Sequence, residues 1–312
     1  MNLHLAETLR AGIIGELRTG LRKALQKKYR VAIIVDDLDR SWDGSSDSDF
    51  LITFFLGLLE AGKRVELDFK DRREPSKSTN ISLCVFVRAD IYDEVADRAP
   101  EADKLPSRTI FWDDDETLRR VALSRLAYAA GGETTGEAVL ERFFTPSVDG
   151  VSPLDYMLAS ILPRPRDLLF YLRACIQKAV NRRHTVVEEQ DIKDALIDYS
   201  EFALTSVQVE LRESGLVPAL ESLLGCDETL SESELRDLVD KAIGKADDTL
   251  LEKFILSGVF ELLQSTETYI QLSDSKKFKK HLLVARKKAV DADRDPVFRI
   301  HKAFHGSLLI GE

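Results

Sequence analysis

The chain has 312 residues, of which 44% are apolar and 31% charged, and a formal charge of −10. That length supports a sizeable core and two or three domains, and the composition is that of an ordinary globular protein. The negative balance argues against a general nucleic-acid coat, while leaving room for a local basic patch.

Taken from the amino terminus, residues 3–28 read as one helix, with Ile13, Ile14, Leu17, Leu21 and Leu25 on one face and basic residues toward its carboxyl end. The start has no apolar signal core, and no stretch reaches the about 20 apolar residues needed to span a bilayer. Cys84, Cys175 and Cys226 are too far apart for a metal-ligand spacing and read as reduced thiols. A cytoplasmic location without membrane association is therefore expected.

The run Tyr29–Arg40 follows. Val31-Ala32-Ile33-Ile34-Val35 predicts a strand buried on both faces, ending in Asp36-Asp37-Leu38-Asp39. In an open α/β sheet ligands bind at the carboxyl ends of the strands. Two adjacent carboxylates there suit phosphate-bound Mg²⁺, one orienting the metal's water shell and the other polarising an attacking water.

A loop at 44–49 leads to an apolar helix over Phe50–Ala61, and Lys70–Asn80 reads as a connector. Ile81–Val87 predicts a second buried strand, ending at Arg88-Ala89-Asp90. Arg108–Trp112 predicts a short third strand, and Asp113–Glu116 can cap a helix from Leu118 to about Ala129.

Beyond Gly131 helical periodicity dominates, over Pro153–Leu162, Pro165–Arg182, Glu188–Ser200, Val207–Leu224, Ser231–Ile243 and Leu250–Leu263. Ser231 and Glu234 have capping-box spacing. Tyr269–Leu272 and Pro296–Ile300 read as two short strands flanking a basic helix, and pairing between them would make a winged-helix-like unit. The layout is an α/β part at 1–130, an all-α lid at 131–205, and linker helices with a small winged-helix-like α+β domain at 206–312.

Three constellations carry chemistry. Asp36 and Asp37 end the first strand. Arg88 ends the second, where a guanidinium could contact phosphate oxygens. Arg164-Pro165-Arg166-Asp167 opens a helix, with Pro165 at a favourable first-turn position. His301 and His305 have helical metal-ligand spacing, but no third ligand is near, and ordinary histidines are expected. The basic residues between 276 and 302 read either as a solvated face or as a phosphate-contacting surface.

The order of these segments resembles Walker B, sensor 1 and sensor 2 of AAA+ and STAND-class ATPases, and in detail a bacterial P-loop ATPase family allied to the KAP group. The resemblance rests on Asp36-Asp37-Leu38-Asp39, Phe86-Val87-Arg88-Ala89-Asp90-Ile91, Asp103-Lys104-Leu105, Trp112-Asp113, Arg164-Pro165-Arg166-Asp167 and Tyr199-Ser200. It implies that Asp36 holds Mg²⁺ through water and that Asp37 positions the hydrolytic water. It further implies that Arg88 senses the γ-phosphate, Arg164 contacts nucleotide, and Arg166 couples the ATP site to lid movement.

No Walker A loop, G-x-x-x-x-G-K-[ST], occurs in the 312 residues. The resemblance places the P-loop strand ahead of residue 1, so that it would come from an amino-terminal segment or a partner chain. The strands at 81–87 and 108–112 would then lack a neighbour or pair directly, and exposed edges would favour a homo-oligomer. The alternative is a non-enzymatic pseudo-ATPase module that binds nucleic acid (through 276–302) or a partner protein by its winged-helix end.

Overall fold

The computed structural model describes residues 2–25, 27–38, 48–69, 79–99, 105, 107–110, 112, 114–212, 214–245, 247–265, 268–271, 275–291 and 294–311. The chain divides into two compact units, Met1–Thr109 and Ile110–Glu312. Among the described residues no helix is long and apolar enough to cross a membrane.

The first unit contains α1 (Asn2–Leu25), β1 (Arg30–Val35), α2 (Ser48–Phe69), β2 (Asn80–Val85) and α3 (Ala89–Arg98). The strands β1 and β2 pair in parallel, from Arg30 opposite Asn80 to Val35 opposite Val85. Ile52 and Phe55 of α2 and Val95 of α3 form a small core, with Val85 and Val87 packed against it.

Two expectations fail here. The strand expected to be buried on both faces is largely open, with Ile33 39% and Ile34 66% exposed. The apolar face of α1 is open too, at Ile13, Ile14, Leu17 and Leu21. Arg108, Thr109 and Ile110 form no strand, and Phe111 lies outside the described residues. The reason is the same in both cases: a β-branched run is satisfied only when another element covers it, and among the described residues β1 pairs with β2 alone.

The second unit begins with helices: α4 (Asp115–Ala129), α5 (Gly136–Phe143), α6 (Pro153–Leu158), α7 (Pro165–Arg182), α8 (Glu189–Arg212) and α9 (Val217–Glu221). The helix expected to close the α/β part, α4, belongs to this unit; its Leu118, Ala122 and Leu126 enter the large core shared with α7 and α8. Asp114 caps it by accepting from the Glu116 N–H. Pro165 sits at the start of α7 as its fixed φ favours. The helix expected at Glu188–Ser200 runs on to Arg212 as α8, and the segment expected as one helix at Val207–Leu224 is split between the end of α8 and α9.

The chain then forms β3 (Thr229–Ser231), α10 (Glu232–Ile243), α11 (Asp248–Ile255), β4 (Phe260–Ser265), β5 (Thr268–Gln271), α12 (Ser275–Asp291), β6 (Val297–Ile300), a 3₁₀ turn at Lys302–Phe304 and α13 (His305–Leu308). The predicted capping box between Ser231 and Glu234 opens α10. The strand order is β3-β6-β4-β5, with every pairing antiparallel.

This corrects the expected sheet. Tyr269–Leu272 and Val297–Ile300 do not pair with each other, because β4 lies between them. That central strand was read as the end of an apolar helix. Gly258 adopts φ +85, which stops the helix, and the buried Phe260 and Leu262 then alternate as a strand requires.

Candidate functional site

Parallel, in-register pairing delivers the ends of β1 and β2 to one sheet edge. The Phe86 N–H donates to the Val35 carbonyl at 2.9 Å, so the ladder continues to the last residue of β1. Asp36 and Asp37 leave β1 there, while Val87 and Arg88 leave β2 beside them. Asp37 has φ +59, in the left-handed region that Asp tolerates better than most residues. Its N–H donates to Asp36 Oδ1 at 2.9 Å, fixing a tight turn with both residues exposed. Arg88 is the N-cap residue of α3, in extended conformation, and its carbonyl accepts from the Tyr92 N–H at 3.0 Å.

Three of the candidate site residues are thus brought to one edge. Asp39, Arg40, Trp42, Asp103, Lys104 and Asp113 lie outside the described residues. The edge offers hard oxygen donors from two carboxylates, a set suited to Mg²⁺, which keeps several waters and takes one or two carboxylates besides phosphate oxygens.

Arg164 and Arg166 belong to the second unit, at the start of α7. Arg164 Nη1 lies 3.4 Å from Glu210 Oε1, a half-exposed ion pair. The Arg166 guanidinium sits 5.6 Å from the Phe202 ring centre, and Phe202 itself stacks on Phe170 at 4.1 Å.

The same motif supplies a buried element that the arginines overshadowed. The Asp167 carboxyl is buried in the first turn of α7, with Oδ1 accepting from the Tyr199 hydroxyl at 3.0 Å. Burial pushes its pKa up, against the opposing pull of Arg164 and of the Tyr199 hydrogen bond. Ser200, the next residue, accepts from the Ser307 N–H at 2.8 Å and so docks α13 on α8. Within this unit, Asp167, Tyr199 and Ser200 therefore hold helices together.

A second polar cluster was missed. Asp191, fully buried, accepts from Arg182 Nη1 at 2.8 Å, from the Glu188 N–H at 3.0 Å, and bonds His184 Nδ1 at 2.8 Å. Burial alone would raise its pKa, but these hydrogen bonds hold it below the usual carboxylate value. The signal in the sequence was weak: an acid three residues into a helix, of the kind that caps any helix.

The basic tail is partly consumed inside its own fold. Arg286 forks onto Glu232 at 2.9 and 3.0 Å, and Arg299 pairs with the cross-strand Glu261 at 2.8 Å. Lys302 lies over the Tyr156 ring at 4.6 Å. Lys279, Lys280, Lys287 and Lys288 remain exposed on α12. His301 caps the 3₁₀ turn through Nδ1, accepting from the Ala303 N–H at 3.1 Å, and His305 Nε2 lies 3.0 Å from the Ile300 carbonyl. Among the described residues no group of three or more His, Cys, Asp or Glu side chains could hold a metal ion.

Comparison with known proteins adds one relationship. Residues 116–208, from α4 through most of α8, match the FunZ-associated C-terminal helical domain. No curated protein and no solved structure matches the chain. The helical part of the second unit, including Asp167, Asp191 and Tyr199, is therefore similar to that domain.

Proposed function

We propose that this chain carries the metal- and water-positioning half of a nucleotide-driven ATPase switch, with the P-loop supplied by a segment or chain outside these 312 residues. The observation that carries the reading is the parallel pairing of β1 and β2, which sets Asp36, Asp37 and Arg88 at one edge. Asp36 would hold the water shell of Mg²⁺, and Asp37 would orient the water that attacks ATP. Arg88 would contact the γ-phosphate. The exposed apolar face of α1 and the open β1 are in keeping with a sheet that takes a further strand from elsewhere.

In this reading the helical domain is the lid. Arg164 and Arg166, at the start of α7, would couple phosphate contact to its movement, the kind of rigid-body step that nucleotide switches use. The test is hydrolysis by the assembly that contains this chain. Asp37→Asn should lower turnover by about 10²–10⁴-fold, the usual worth of a positioned acid–base group, with nucleotide binding retained. Arg166→Ala should also cut turnover more than binding. Unchanged turnover in Asp37→Asn would overturn the assignment.

The final region supports a second reading, a non-catalytic docking module of winged-helix type. The order strand, two helices, strand, with β6 returning between β3 and β4, supports that connectivity; β5 and α12 would then be an insertion in the wing. The helix in the recognition position, α11, carries Asp248 and Glu252, whereas exposed lysines lie on α12. Contact with nucleic acid would thus run through α12, and salt-dependent DNA retention without ATP binding would favour this reading over the switch.

A further inference from the structure

The helical domain contains a cavity of about 570 Å³ between the ends of α4, α5 and α7 and the segment 184–187. Its volume falls within the roughly 300–1,000 Å³ typical of small-molecule sites. The walls are apolar: Leu126 and Val139 lie deep, while Phe143, Ile176 and Val180 line it from exposed positions. A well-packed helical domain covers such residues, yet Ile176 and Val180 of α7 are 39% and 61% exposed.

Polar groups on the lining are few and placed. Arg142 lines the cavity with its guanidinium 5.1 Å from the Phe143 ring centre, and has no carboxylate within ion-pair reach among the described residues. Arg119, Arg164, Arg182, Arg236, Arg286 and Arg299 are paired with acids, whereas Arg142, like Arg125 and Arg166, lies against an aromatic ring with no acid paired to it among the described residues. His184 lines the same space, its ring held through Nδ1 by the buried Asp191. The other ring nitrogen has no hydrogen-bond partner among the described residues.

We infer that this cavity is a binding site for a small amphipathic monoanion, an apolar-tailed carboxylic acid whose tail fills the apolar walls and whose carboxylate meets Arg142. Charge complementarity selects the class: an uncompensated guanidinium beside an apolar cavity favours an anion attached to apolar surface, and its planar fork matches a carboxylate. The inference is independent of the nucleotide reading, since every residue involved lies in the helical domain.

The experiment uses the full chain, with decanoate as probe and decanol as its uncharged counterpart, by calorimetry and by methyl NMR of valine and isoleucine. Decanoate should bind with a dissociation constant on the order of tens of micromolar, shift the Val139 and Val180 methyls, and bind about tenfold more tightly than decanol. Arg142→Gln, at an exposed position, should remove that tenfold preference and leave decanol unaffected. Val180→Trp should crowd the apolar wall and weaken binding of both about tenfold or more, with circular dichroism unchanged. Equal affinity for the two probes, undiminished binding by a folded Val180→Trp chain, or methyl shifts confined elsewhere would each overturn the site. Failure of both probes to bind would also overturn it, and would turn attention to an apolar helix of a partner protein as the occupant.

Discussion

Asp167 and Tyr199 are joined across α7 and α8 by a buried hydrogen bond of 3.0 Å, and the same Tyr199 oxygen accepts from the Leu162 N–H at 2.9 Å. One hydroxyl therefore ties together two helices and the turn that precedes Arg164. Tyr199→Phe keeps the ring stacked on Tyr171 but leaves the Leu162 N–H and Asp167 Oδ1 without this partner. The expected cost is about 1–3 kcal/mol, measured as a lower urea midpoint at unchanged slope.

Asp167 itself should be a liability at neutral pH. Its pKa is raised above 3.8, chiefly by burial, and Oδ2 has no hydrogen-bond partner. A raised carboxyl pKa means that stability is complete below 3.8 and declines as pH rises through the folded-state value. Asp167→Asn, which does not titrate, should gain stability relative to wild type between pH 4 and pH 7.5. Urea unfolding of both proteins at the two pH values checks the sign.

Asp191→Ala should be among the most damaging single changes in the helical domain. It removes one of the two carboxylates that hold Arg182, leaving Asp194, releases His184 and removes the cap from the first turn of α8. Loss of one partner from a buried ion-paired network costs about 3–5 kcal/mol, here toward the lower end because Arg182 is partly exposed. Hydrogen exchange should show the start of α8 opening first, and uniform loss of protection across the domain would contradict a local cap.

Gly136 is required by a close approach. A Cβ built there would lie 2.1 Å from the Leu123 carbonyl oxygen, a backbone atom that cannot step aside. Gly136→Ala should force α5 away from α4 at a cost of about 1–3 kcal/mol, as overpacked cores show. A melting temperature within a degree of wild type would mean that the two helices separate freely.

His301 provides the acid limb of the pH profile. Burial lowers its pKa from 6.5 to about 3, with the positive surroundings of His305, Arg299 and Lys302 adding to the effect. The neutral ring contributes its full stability above 6.5, and this is lost as pH falls toward about 3, with a maximal slope of about 1.4 kcal/mol per pH unit. His301→Asn can still accept from the Ala303 N–H but does not titrate. Its stability should therefore fall less than that of wild type between pH 6.5 and pH 4, and parallel profiles would show that other groups govern acid unfolding.

Local chemistry was legible wherever neighbouring residues supply it. Pro165 at a helix start, the Ser231–Glu234 box and the Asp114 cap each act within one turn, and all three appear where the spacing places them. The shared edge of Asp36, Asp37 and Arg88 was legible too, because two apolar runs ending in charged residues need only pair in parallel to bring those ends together.

Tertiary structure decided what depends on distant partners. Phe260–Ser265 has an apolar run compatible with either helix or strand, and its place between β5 and β6 follows from pairing with residues some way along the chain. Arg286 and Arg299 look like members of a basic surface until Glu232 and Glu261 meet them. Asp167, written as one charge in a row of arginines, is buried because Tyr199 returns to it from the next helix. Periodicity and capping are energies of adjacent residues, readable in order along the chain; pairing, burial and ion-pair choice are energies of contacts that exist only once the chain has closed on itself.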